Sequence, residues 1–84
     1  MRIFVGNLPW RYSSNDLTRL FESYGTVVSA EVVSDALTGH SRGFGFVEMN
    51  GREAALAAID GLDGCDCDGR QVTVYRARRA RIGH

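Results

Sequence analysis

From Arg2 to Gly6 the chain reads RIFVG, an alternating run rich in β-formers, and NLPWR then breaks it where Pro9 biases Leu8 away from the helical region. A first strand is expected there. Ser13 with Asp16 three residues on has the form of a capping box. Leu17, Leu20, Phe21 and Tyr24 recur at helical spacing up to Gly25, which predicts an amphipathic helix of about three turns. Val27 to Val33 alternates again, SDALTGHS is a polar turn, and SRGFGFVEM from Ser41 to Met49 alternates as a third strand. Asn50 and Glu53 suit the start of a second helix with the apolar stripe Ala55, Leu56, Ile59 and Leu62. GLDGCDCDGR is turn-rich, and Gln71 to Tyr75 ends the pattern as a last strand.

The order β-α-β-β-α-β is that of an α+β, ferredoxin-like unit. It implies a four-stranded antiparallel sheet with two helices on one face and the other face open. Parity then assigns the faces. In the third strand Arg42, Phe44, Phe46 and Glu48 share one side, and Gly43, Gly45, Val47 and Met49 share the other. Burying the phenylalanine side would also bury an arginine and a glutamate, at several kcal/mol each if imperfectly paired. Phe44 and Phe46 are therefore expected to face outward, and Gly43 and Gly45 inward where a helix can approach. The other strands agree: Ile3 and Val5 point in with Phe4 out, Ala30 and Val32 oppose Ser29 and Glu31, and Val72 and Val74 oppose Gln71, Thr73 and Tyr75. Three exposed rings in one patch mark an interaction surface.

Size and charge narrow the choice. A chain of 84 residues is one small domain. It has no apolar run long enough for a membrane span and no signal-peptide pattern, so a soluble, cytoplasmic monomer is expected. Residues 1 to 75 hold six arginines against ten acids, a net of −4, while residues 76 to 84 hold four arginines and no acid, a net of +4. A basic tail suits an anionic partner, or else serves as a solvated terminus. Cys65 and Cys67 are too few and too close for a disulfide framework and supply too few ligands for tetrahedral zinc. Cys65 reads as an exposed turn residue. His40 lies in a loop and His84 is the last residue, so no nucleophile, base and orienting group come together and no enzyme or cofactor is expected. Trp10, just after Pro9, is expected to pack near the first helix rather than to serve as a ligand platform.

IFVGNL at residues 3 to 8 and RGFGFVEM at residues 42 to 49 resemble the RNP hexamer and octamer of the RNA recognition motif family. Seven of the eight octamer positions fit. The exception, Met49, has inward parity and so concerns the core. LTRLFESYGTV, TGHSRGFGFV and AIDGLDG with DGRQVTV extend the likeness in the same order over residues 2 to 77. With its hexamer at residue 3, the chain is similar to the small single-module RNA-binding proteins of bacteria and cyanobacteria.

The resemblance implies a non-catalytic module for single-stranded RNA, with single-stranded DNA left open, occupying residues 1–77 and followed by a basic, flexible tail at 78–84. It implies that Phe4 and Phe46 stack on bases, that Phe44 inserts between sugars and that Arg42 meets a phosphate. At the periphery Arg2 starts the hexamer strand and Asn7 ends it. Glu31, Glu48, Gln71, Thr73 and Tyr75 have outward parity and are candidates for base edges, and Arg76, Arg78, Arg79 and Arg81 are candidates for the phosphate backbone. Cys67 stands where the family tends to carry a bulky apolar residue, which reads it as a small buried hydrophobe. Tyr75 is balanced between RNA contact and edge packing. The same aromatic patch also suits a protein partner or a second copy of the chain.

Overall fold

The computed structural model describes residues 1–77, so Arg78, Arg79, Arg81 and the tail assigned to 78–84 lie outside the described residues. The elements run β1 (Arg2–Gly6), α1 (Ser14–Glu22), β2 (Val27–Ser34), β3 (Ser41–Met49), α2 (Arg52–Leu62), β4 (Asp66–Cys67), β5 (Arg70–Gln71) and β6 (Thr73–Arg76). β2, β3, β1 and β6 form one antiparallel sheet in that spatial order, and β4 with β5 forms a separate two-stranded ribbon.

A single core lies under one face of the sheet. Ile3, Val5, Val47, Met49, Val72 and Val74 meet Leu17 and Phe21 of α1 and Ala55, Ala58 and Leu62 of α2, all of them buried. Both helices therefore cover the same face, and every inward position that parity assigned to β1 and β6 is buried. Met49 is among the buried residues, which confirms that its departure from the octamer pattern falls on the core side. On β2, Ala30 and Val32 pack against that core, and an irregularity between Val27 and Ser29 turns Val28 out to solvent.

The two inward glycines of β3 differ in purpose. A Cβ on Gly45 would run into the Glu31 carbonyl of the neighbouring strand and come within 3.0 Å of Leu17 Cδ1, so its bareness admits α1 onto the sheet. Gly43 has only the Leu8 carbonyl within 4 Å of that position, at 3.9 Å. What Gly43 supplies is a backbone with φ of 84°, which most other residues avoid.

The helices start and stop for local reasons. Ser13 caps α1 reciprocally with Asp16: the Ser13 N–H donates to Asp16 Oδ2 at 2.7 Å, and the Asp16 N–H donates to Ser13 Oγ at 3.3 Å. The Ser13 N–H first, and then the Ser13 hydroxyl, which donates to Asp16 Oδ2 at 2.9 Å, hold the Asp16 carboxyl below its ordinary value. α1 ends at Glu22, about two and a half turns long, so Tyr24 falls beyond it and its ring lies against Gly61 of α2. Asn50 does not cap α2. Its N–H donates to Thr26 O at 3.0 Å, and Gly51, at φ of 100°, takes the cap position without a side-chain bond. The buried stripe of α2 contains Ala58 rather than Leu56, which is 43 % exposed. A helix lying close to a sheet turns its smallest side chains inward, and Leu56 is left at the flank.

Gln71 belongs to the β4–β5 ribbon and not to the last strand, which begins at Thr73. Asp68 at φ 52° and Gly69 at φ 86° form the tight turn between Cys67 and Arg70, an Asp-Gly hairpin inside the stretch expected to be turn-rich. Trp10 also departs from expectation and is 75 % exposed. The Tyr12 N–H donates to Pro9 O at 3.0 Å, turning the chain at Trp10 and Arg11 while Leu8 and Pro9 take the buried places. Among the described residues no helix is long and apolar enough to cross a membrane.

Candidate functional site

β1 lies between β3 and β6, and register alone assembles the open face. Phe4 is directly opposite Phe46 on one side and Tyr75 on the other, and Phe44 is opposite Gly6. Non-neighbouring stretches of sequence thus contribute one cluster of four rings. Phe4 lies 5.8 Å from Phe44 with planes 25° apart and 5.8 Å from Phe46 at 72°, while Phe44 and Phe46 are 6.2 Å apart, edge to face. Tyr75 stacks on Phe4 at 4.7 Å and 23° and remains 51 % exposed. Such pairs gain about 0.5–1.5 kcal/mol each beyond area burial, which steadies the rings while their outer surfaces stay wet.

Charged residues frame the rings. The Arg2 guanidinium carbon lies 4.4 Å from the Phe46 centroid, a cation–π contact, and Arg2 is opposite Glu48 in the β1–β3 register. Glu31 is opposite Phe46 from the β2 side, and Ser29 is opposite Glu48. All these strand charges are exposed. Arg42 is exposed just before Gly43, with its charge felt at Asp35. The Asp35 carboxyl is held below its ordinary value chiefly by the Leu37 and Thr38 N–H groups, which donate to Oδ1 at 2.8 and 3.2 Å across the β2–β3 turn.

Asn7 is occupied at both ends of its amide. Nδ2 donates to Gln71 O at 2.8 Å, and Arg70 Nη2 donates to Asn7 Oδ1 at 2.7 Å, with the Asn7 backbone at φ 58°. This clamp ties the end of β1 to β5, and Arg70 in it was not among the candidates read from sequence. Gln71, Thr73 and Arg76 are exposed. Thr73 shares the parity of Tyr75, whereas Arg76 is opposite the inward-facing Ile3 and so has the other parity.

The cysteines sit behind this face. Cys67 is buried, Cys65 is partly buried rather than exposed, and their sulfurs are 4.0 Å apart. Burial pushes the Cys67 thiol above its ordinary value of 9.0 and, with a hydrogen bond to Cys67, pushes the Tyr12 phenol up to about 12. Among the described residues no group of three or more His, Cys, Asp or Glu could hold a metal ion.

Residues 3–73 match the model of the family described as RNA recognition motif. The chain belongs to that family. Its hexamer begins in β1 and runs two residues past it to Leu8, its octamer lies within β3, and the inward Met49 sits at the octamer's last position in this RRM. The RRM is 53 % identical over 73 residues to the RNA-binding protein CP31B, chloroplastic, of Arabidopsis thaliana, a match covering 87 % of this chain and 25 % of that protein. It is 46 % identical over 78 residues to the putative RNA-binding protein RbpE of Nostoc, covering 93 % of this chain and 79 % of RbpE, in line with the likeness to small cyanobacterial proteins. Against its plant relatives the chain spans half of their length or less. The crystal structure of RNA Binding Protein PG1 superposes with a TM-score of 0.91 at 46 % identity, over 96 % of this chain and 98 % of that one.

Of the residues singled out from sequence, this RRM brings Phe4, Phe44, Phe46, Tyr75 and Arg2 into direct contact with one another. Arg42, Gln71 and Arg76 stand at the margins, and Arg78 is outside the described residues.

Proposed function

We propose that this chain binds single-stranded RNA on the open face of its sheet, as a monomer in a reducing compartment such as the cytoplasm and without catalysing a reaction. The observation that carries the proposal is the continuous cluster of Phe4, Phe44, Phe46 and Tyr75, with centroids 4.7–6.2 Å apart on the face that no helix covers. The names of CP31B and RbpE as RNA-binding proteins support it. Unpaired bases offer flat π faces that such rings can cover, each stack contributing about 1–3 kcal/mol.

In this proposal Phe4 and Phe46 receive bases, Phe44 lies between sugars, and Arg42 neutralises a phosphate beside the Phe44 end of the sheet. Arg2 keeps a positive charge over Phe46 and near the backbone of the strand. Glu31, Glu48, Gln71 and Thr73 meet base edges, where carboxylates accept from base amino groups and keep clear of phosphates. Tyr75 extends the stack from Phe4 toward β6. Asn7 acts indirectly, by holding β5 and Gln71 in register with the end of β1. Residues 1–77 form the binding domain. Arg76, followed by Arg78 and the rest of the 78–84 tail, trails along the phosphates.

The test is equilibrium titration of short random RNA against wild type and Phe44→Ala with Phe46→Ala. Affinity is expected to fall by at least about 1–3 kcal/mol, the contribution of the base stacked on Phe46, when both rings are removed, with an unchanged circular dichroism spectrum. Undiminished affinity in a folded double variant rejects the proposal.

A further inference from the structure

Trp10 is the largest apolar side chain left open to solvent, at 75 % exposure, and it is the single tryptophan of the sequence. Its loop is not loose. Leu8 and Pro9 on one side are buried, and the Leu8 N–H donates to Gly43 O at 2.8 Å. On the other side Arg11 Nη2 donates to Asp68 Oδ2 at 3.0 Å, and the Tyr12 phenol is engaged with Cys67. The chain on both sides of Trp10 is thus tied to the rest of the fold, Arg11 through an exposed ion pair, while the indole itself is open to solvent.

Its place relative to the rings follows from the same bonds. Gly43 lies between Arg42 and Phe44, and Leu8 is bonded to it. Trp10 is two residues beyond Leu8, so its Cα is within about 8 Å of the Leu8 Cα. The Trp10 backbone therefore stands just past the Phe44 end of the sheet.

We propose that Trp10 is an additional stacking platform, taking a nucleobase of the same RNA strand immediately beyond those on the sheet. The inference rests on the RNA-binding reading above. An indole offers a broad π surface, and a loop already held by Leu8, Arg11 and Tyr12 loses little freedom when a base covers it. Stacking of this kind is tolerant of base identity, so Trp10 lengthens the footprint more than it sharpens sequence choice.

Because the chain has one tryptophan, its intrinsic fluorescence reports on this position without substitution. Random single-stranded RNAs of about two and about ten nucleotides are titrated, the shorter no longer than the two or three bases the sheet can stack. The longer RNA is expected to quench the fluorescence saturably. Trp10→Ala is expected to bind it about five- to 150-fold more weakly, while Trp10→Phe retains most of the affinity. The short RNA should leave fluorescence unchanged and bind wild type and Trp10→Ala equally.

Unchanged fluorescence at saturating long RNA overturns the proposal, and so does equal affinity of Trp10→Ala at both lengths or an equal loss at both. If Trp10→Ala does not fold, the wild-type quenching decides. Wild type that binds neither RNA in an electrophoretic assay sinks the RNA-binding reading itself, an outcome distinct from the other three.

Discussion

The two faces of β3 are built from the same nine residues and obey opposite rules. Inward, Gly45, Val47 and Met49 are chosen by the volume between sheet and helices, to the point that a single added carbon at Gly45 meets Leu17 and the Glu31 carbonyl. Outward, Phe44 and Phe46 have no protein layer above them and touch mainly other rings. The inner face is constrained by the fold and the outer face by what it can hold. Folding and binding should therefore respond to different substitutions in one strand.

The widest separation should come from Phe21, the largest fully buried side chain beneath the sheet. Phe21→Ala should lower unfolding free energy by about 3–5 kcal/mol through reduced burial and a cavity. Denaturant titration measures this, and a drop under about 1 kcal/mol would mean the inner face is not limited by packing. Gly45→Val should cost about 1–3 kcal/mol of overpacking strain and speed unfolding. A neutral result would show that α1 can retreat from the sheet.

On the outer face, Phe46→Ala should cost RNA affinity about 1–3 kcal/mol and change stability by less than Phe21→Ala does. Equal losses of stability would erase the distinction between the faces.

Alkaline conditions probe the inner side from a third direction. The Cys67 and Tyr12 protons are held in the fold above their ordinary values of 9.0 and 10.0, Tyr12 up to about 12. Their contribution is complete below those ordinary values. It declines as pH rises, because the unfolded chain releases its protons first. Urea midpoints should fall between about pH 9 and pH 12, and Cys67→Ala should remove the earlier part of the fall. A midpoint that does not move over that range would mean neither group is held in the folded chain.

The smallest effect expected is that of deleting residues 78–84. The plot of log affinity for single-stranded RNA against log salt should flatten by about 0.7 for each phosphate that the tail neutralises. An unchanged slope would rule out a role for the tail.

Alternation along β1 and β3 was enough to put Phe4, Phe44 and Phe46 outside, because a strand has only two sides and Arg42 and Glu48 could not be buried. The capping box at Ser13 was legible for a similar reason, being complete within four residues. Interactions between distant parts of the chain were not legible. The Asn7 clamp joins positions 63 and 64 residues apart, and the Tyr75–Phe4 stack depends on β6 choosing β1 as its neighbour. Trp10 misled because an indole is usually worth burying, and only the Pro9–Tyr12 turn sends it outward. The hairpin at Asp68–Gly69 did carry a local signal, an Asp-Gly pair between short strands, obscured by the glycine-rich run around it.

The strand order β2-β3-β1-β6 also has a consequence in time. β1 leaves the ribosome first and β6 last, yet they are bonded neighbours. Throughout synthesis one margin of β1 presents unpaired N–H and C=O groups beside Phe4, a template onto which another nascent chain can add a strand. That margin closes only when residues 73 to 76 emerge, so a ribosome stalled shortly before them would hold a chain with most of its aromatic face made and an adhesive edge still open.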